Sequence, residues 1–149
     1  MGNALFYHLT RSPAESLLPV LIGKSLAAGW RVELRGTDPE RMDQLDRHLW
    51  QGDGFLPHGL AGGPHDARQP VLLTVAGQPA TNRSSCLMAL EGVEVAVQEV
   101  QTLQRACIIF DGGDAVATTR ARDQWKALTG AGVTAEYWSE ESGRWERKR

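Results

Sequence analysis

The sequence predicts a single α/β domain with a largely parallel sheet flanked by helices. Two observations predict it. Short apolar runs at 71–75 (Val-Leu-Leu-Thr-Val), 86–90 (Cys-Leu-Met-Ala-Leu) and 106–110 (Ala-Cys-Ile-Ile-Phe) have the length and composition of buried strands. Stretches with apolar residues three and four apart come between other such runs, and strands alternating with helices favour parallel pairing.

The elements follow in order. Residues 4–9 (Ala-Leu-Phe-Tyr-His-Leu) read as a first strand. Ser12-Pro13-Ala14-Glu15 opens a helix, with Ser12 expected as N-cap, Pro13 at the first helical position and Glu15 closing a capping box. Leu17, Leu18, Leu21, Ile22 and Leu26 give it an apolar face, Pro19 is an awkward interior residue, and Gly29 ends it. Arg31–Arg35 alternates charge and hydrophobe and reads as a second strand with Val32 and Leu34 facing in. Thr37-Asp38-Pro39-Glu40 opens a second helix whose buried side carries Met42, Leu45 and Leu49, with Trp50 as a further candidate. Residues 51–70 are rich in Gly and Pro and read as a long loop, of the length that in compact domains is usually functional or disordered. Strands follow at 71–75 and 86–90, separated by a polar surface loop at 77–85. Residues 93–104 fit helix and strand equally, and the structure of 91–105 is left open. A strand at 106–110 ends at Asp111-Gly112-Gly113, and Asp114 caps a helix to about Leu128 that stops at Gly130-Ala131-Gly132. A last strand covers about 133–138. A charged tail, expected to be exposed and solubilising, occupies about 140–149 and carries Arg144, Arg147, Lys148 and Arg149.

A chain of 149 residues suits one domain, 1–149. A net charge of −2 argues against direct gripping of a nucleic-acid backbone, which calls for a basic stripe. The first residues lack the basic and apolar regions of a signal peptide, and no apolar run approaches the ~18–20 residues that span a bilayer. The expected location is therefore the cytoplasm, without membrane attachment. Phe6 stands where a myristoylation motif needs Ser or Thr, so Gly2 is not read as an acceptor. Cys86 and Cys107 lie in apolar runs and read as small buried hydrophobes.

The chemistry of common enzymes is missing from the sequence. Gly23-Lys24-Ser25 lies inside a predicted helix, without the glycine-rich turn whose backbone N–H groups cradle phosphates. The first strand is followed by Thr10-Arg11-Ser12 rather than by G-x-G-x-x-G. His48, His58 and His65 do not have metal-ligand spacing, and the cysteines form no C-x-x-C pair. No nucleophile signature appears. No catalytic residue, metal or cofactor is expected. Triads assemble from distant residues, so an α/β enzyme or small-ligand-binding protein stays as the alternative.

Two places suit a protein partner. On the helix 114–128, Arg122, Trp125 and Lys126 are three and four residues apart and share a face, with Arg120 nearby. Cations flanking an aromatic ring suit a peptide end that is acidic and aromatic. The competing reading buries Trp125 in the core and leaves ordinary surface charges around it. Trp50, Phe55 and Leu56 form the second place, being of a type found at interface hot spots. They are equally suited to closing off the sheet beneath the loop. His58 is expected to hydrogen-bond loop backbone.

The stretch Phe55-Leu56-Pro57-His58-Gly59-Leu60-Ala61-Gly62 follows Leu45-Asp46 and Leu49-Trp50 and precedes Pro70-Val71-Leu72-Leu73. Farther on come Arg120-Ala121-Arg122, Trp125-Lys126-Ala127 and Tyr137-Trp138. This order resembles the chi subunit of bacterial DNA polymerase III holoenzyme, over nearly the whole chain. The resemblance implies a non-catalytic clamp-loader accessory with a nucleotide-binding-like fold and no nucleotide site. It implies two partners in DNA replication: the psi subunit, which ties chi to the clamp loader, and the acidic, Phe-ending C-terminal tail of single-stranded DNA-binding protein. DNA is then reached only indirectly. By the same resemblance Arg122, Trp125 and Lys126, with Arg120, fall on the tail-binding region, and Trp50, Phe55 and Leu56 on the psi-binding region. Thr129 stands where the family commonly carries an arginine, so one cation of that set is absent, and Arg144, Arg147, Lys148 and Arg149 of the tail are the alternative source of that charge.

Overall fold

The computed structural model describes residues 2–52 and 56–149. Strand β1 (Asn3–Leu9) leads to helix α1 (Ala14–Ala27), β2 (Val32–Gly36) and α2 (Pro39–Gln51). The 51–70 segment contains a two-residue strand, β3 (Gly59–Leu60), and a 3₁₀ turn at Asp66–Arg68. Next come β4 (Val71–Val75), β5 (Cys86–Leu90), α3 (Val97–Thr102), β6 (Arg105–Asp111), α4 (Ala115–Gly130), β7 (Thr134–Ser139) and β8 (Glu146–Arg147). The undecided stretch at 91–105 thus holds one short helix and the start of β6. The resulting fold is α/β, as expected.

Among the described residues the sheet has eight strands in the order β3-β4-β2-β5-β6-β1-β7-β8. Neighbours are parallel except β7 and β8, which pair antiparallel with Trp138 opposite Arg147 and Ser139 opposite Glu146. Alternation along the central strands produces two cores. Val32, Leu34, Leu73, Met88 and Ile109 face α1 and α2, where they meet Leu18, Ile22, Met42 and Leu45. Phe6, Leu87, Ile108 and Phe110 face the other way and meet Val100, Ala117, Ala121 and Leu128. Burial of such a side chain contributes about 1.5–3 kcal/mol. A strand covered on both faces reads as an unbroken apolar run, which is why 86–90 and 106–110 were plain in the sequence. Among the described residues no helix is long and apolar enough to cross a membrane.

The cap of α4 is the one the sequence predicts, and α2 starts within the predicted opening Thr37–Glu40. Asp38 accepts from the Glu40 N–H, and Asp114 accepts from those of Val116 and Ala117. The cap of α1 is different. Pro13 holds the N-cap position without a side-chain bond, and the expected capping box is absent. Glu15 instead binds Arg41, at 2.8 Å. Ser12 turns to Glu140, its hydroxyl donating to Oε2 at 2.9 Å. Pro19 lies inside the helix, as its position implied.

The exchange at Ser12 occurs at a particular place. From neighbouring strands β1 and β6 the chain leaves in opposite directions, to α1 and β2 on one side and to α4 and β7 on the other. Open α/β sheets hold ligands in the crevice such a reversal creates. Here the crevice is filled by the chain itself. The Gly112 N–H donates to the Leu9 carbonyl, and a side chain at Gly112 would collide with the His8 ring. The buried Glu140 carboxylate accepts from the backbone N–H groups of Thr10, Arg11 and Ser12 at 3.1, 2.8 and 2.6 Å. Burial alone would raise its carboxyl pKa. The three N–H donors and the Ser12 hydroxyl overcome that and hold it below the usual carboxylate range.

Candidate protein-interaction site

Helix α4 lies across β6 and β1 because Ala117, Ala121 and Leu128 fill that core. Their small side chains at 117 and 121 bring the helix close to the sheet. This geometry carries Arg122, Trp125 and Lys126 to the edge of the helix, beside β7. There they border a pocket of about 440 Å³ with Phe110, Tyr137, Lys148 and Arg149.

The floor is aromatic. Trp125 is half buried, meeting Phe6 edge-on at 5.2 Å between centroids and Tyr137 at 6.1 Å. His8 stacks on Phe110 at 4.9 Å. The Tyr137 hydroxyl lies 2.7 Å from His8 Nδ1. Burial raises the Tyr137 phenol pKa, against the pull of Arg122 and Arg149. Burial likewise lowers the His8 imidazole pKa, where Arg122 adds to it and Glu141 and Asp111 oppose it. Trp125 therefore has two surroundings: one part of the ring packs on the core and the other borders the pocket.

The rim is cationic. Arg122, Lys126, Lys148 and Arg149 are all exposed, and no lining residue described is an Asp or Glu. The Arg149 guanidinium stands over the Trp125 ring, 6.0 Å from its centroid. An apolar aromatic floor under several positive charges accepts one kind of ligand well: a short chain with an aromatic group to bury and carboxylates to leave at the mouth.

Arg120 is not part of this pocket. Its guanidinium donates to the Gly92 carbonyl at 3.3 Å, and it borders a separate hollow with Asp123 and Gln124. Residues two apart on a helix point about 200° apart, so Arg120 and Arg122 cannot share a face. That spacing was legible in the sequence. The contributions of Phe110 and Tyr137 were not, because they arrive from β6 and β7; of the tail cations offered as substitute charge, Lys148 and Arg149 line the pocket. The segment read as an exposed charged tail pairs with β7, and its last two residues stand at the pocket.

The second predicted place lies at the end of α2. Trp50 is half exposed, and its ring lies 4.1 Å from that of His58. His58 is buried, with Nδ1 2.6 Å from the Leu56 carbonyl and Nε2 3.0 Å from that of Asp46. It bonds loop backbone at Leu56, the role expected of it, and also ties the loop to α2 at Asp46. Leu56 is partly buried and packs against the core beneath α1 and α2. Leu60 is exposed. Phe55 lies outside the described residues.

Comparison with known proteins gives one consistent result. The family model described as "DNA polymerase III chi subunit, HolC" matches residues 1–136. A relative described as "Probable DNA polymerase III subunit chi", from Rickettsia prowazekii (strain Madrid E), is 26% identical over 118 residues, which is 74% of this chain and 71% of that protein.

Proposed function

Because the chain belongs to the DNA polymerase III chi-subunit family, a replication accessory of the polymerase III complex that is not itself catalytic, we propose that it works as an adaptor. One partner is the C-terminal tail of single-stranded DNA-binding protein. The other is the psi subunit, through which the chain joins the clamp loader. The place of action is the cytoplasm, and DNA is met only through the coating protein. A chain with net charge −2 has little attraction of its own for a phosphate backbone.

The observation that supports the tail assignment is the pocket itself. A tail that ends in Phe after aspartates would lay its ring against Trp125 and Tyr137 and set its carboxylates among Arg122, Lys126 and their neighbours. Arg122→Ala or Lys126→Ala should weaken binding of a peptide ending Asp-Asp-Ile-Pro-Phe by about 1–3 kcal/mol. Affinity should fall as salt rises, since exposed charges are screened within about 10 Å at 0.1 M salt. Calorimetry on the two variants is the test, and wild-type affinity in both would place the peptide elsewhere.

Trp50, Phe55 and Leu56 are assigned to psi. An exposed Trp face anchored by His58 is a suitable hot spot, because its position is already set before a partner arrives. Trp50→Ala should reduce capture of psi at least about tenfold while leaving peptide affinity unchanged. Loss of both activities together, with a lowered melting temperature, would mean that Trp50 acts in the fold rather than at an interface.

A further inference from the structure

We propose that the C-terminal segment Glu140–Arg149 is a working wall of the pocket: Lys148 and Arg149 bind the acidic part of the peptide, and Glu140 is the positioning residue that holds them there. This rests on the tail-binding reading above and adds to it, since the family match ends at residue 136 and these residues lie beyond it.

The segment is held at three points. Glu140 sits in the crevice at the start of α1, receiving three backbone N–H bonds and the Ser12 hydroxyl. Next to it the Arg11 guanidinium donates to the Glu141 carbonyl at 3.2 Å. Trp145 then packs edge-on against Tyr7 at 5.5 Å, on the sheet face that α1 covers. Finally the backbone returns along β7: the Lys148 N–H donates to the Tyr137 carbonyl at 2.6 Å, and the Tyr137 N–H donates to the Arg149 carbonyl at 3.3 Å. The segment therefore folds around the β7 edge from one face of the sheet to the other, and its last side chains stand opposite α4.

That location carries the chemical argument. Arg122 and Lys126 border the pocket from the helix side, and Lys148 and Arg149 border it from the strand side. A peptide between them meets cations on both flanks. The Arg149 guanidinium already lies against Trp125, where the ring restricts it. The Lys148 ammonium is 3.8 Å from Glu146, a long and exposed pair that a peptide carboxylate can displace. Glu140 is a carboxylate in a place suited to a bound anion. It fixes the direction in which the segment leaves β7, and it acts on the peptide only through Lys148 and Arg149.

The test uses the full chain and the same acidic Phe-ending peptide, titrated at low and physiological salt. Lys148→Gln and Arg149→Gln should each weaken binding about 3–10-fold, and the double variant should show a shallower salt dependence than wild type. Glu140→Ala should weaken binding by a similar factor, and Glu140→Gln, which keeps an acceptor oxygen for the N–H groups, should recover part of the loss. Added to the Lys148→Gln/Arg149→Gln background, Glu140→Ala should cost no further affinity. Circular dichroism confirms that each variant is folded. If wild type binds, Arg122→Ala weakens binding and the double variant binds like wild type, the wall is overturned while tail binding stands. If Glu140→Ala lowers only the melting temperature, or lowers affinity equally in both backgrounds, its positioning role is overturned. If wild type does not bind the peptide, the tail reading fails and this inference fails with it.

Discussion

Trp125→Ala is expected to remove most of the affinity for an acidic Phe-ending peptide, by at least about 2 kcal/mol or roughly thirty-fold. Trp125 has two jobs on one ring. Toward the core it meets Phe6 edge-on, and toward the outside it forms pocket wall with Tyr137 and underlies Arg149. Truncation removes the apolar surface for the peptide's Phe and the support for a neighbouring cation together. It should also destabilise the fold by about 3 kcal/mol, the lower end for loss of a large core aromatic, because part of the ring is exposed. The two effects are separable. Trp125→Phe keeps a ring against Phe6 and should recover more stability than affinity, having less surface for the pocket. Urea unfolding gives the first quantity and calorimetry the second. A folded Trp125→Ala protein that binds the peptide like wild type would remove the pocket from the tail-binding account.

How the pocket was anticipated, and how incompletely, follows from the range of the interactions. Arg122, Trp125 and Lys126 share a helical face, and periodicity is a local property that one sequence displays. The other flank depends on β7 pairing with β1, between residues more than 120 apart in the chain, and on β8 folding back along β7. No local pattern marks Lys148 or Arg149 as different from any solvated charge. The same difference explains the helix caps. Asp38 and Asp114 bond within three residues, so their roles were readable. Ser12 satisfied the local capping pattern equally well, but a carboxylate 128 residues away took its hydroxyl and three adjacent N–H groups. A charge-assisted set of that size outweighs a neutral capping bond. The strands were legible because burial on both faces leaves continuous apolar runs. Glu33 was the exception. It sits in an alternating strand and looks solvent-facing, yet it is almost wholly buried.

Arg35→Ala is therefore expected to be among the most damaging substitutions in the fold, at about 3–5 kcal/mol. Glu33 and Arg35 extend from β2 on the face opposite α1 and α2, where sequence alternation places charges that should meet water. Instead the Arg35 guanidinium bridges two carboxylates, at 2.9 and 3.1 Å to Glu33 and at 2.7 and 3.1 Å to Glu99, and it also donates to the Glu94 carbonyl. The Thr74 hydroxyl adds a bond to Glu33 at 2.6 Å. Burial alone would favour loss of the guanidinium proton, but the hydrogen bonds Arg35 donates to Glu99 and Glu33 outweigh it and hold the group charged. Removing Arg35 leaves the Glu33 carboxylate enclosed without a cation, which costs far more than loss of an exposed ion pair. It also frees Glu99, whose other bond is to the Ala96 N–H at the start of α3. A six-residue helix has little stability of its own, so α3 depends on this anchor and on Val100 in the core. The segment that periodicity left undecided is thus defined by a guanidinium about sixty residues earlier in the chain. Arg35→Lys should recover only a minority of the loss, since an ammonium cannot present the paired N–H groups that two carboxylates use here. Urea unfolding measures the total, and hydrogen exchange at residues 96–102 measures the local part. Wild-type protection at those amides in Arg35→Ala, with stability within about 0.5 kcal/mol of wild type, would show that the network does not hold α3 to the sheet.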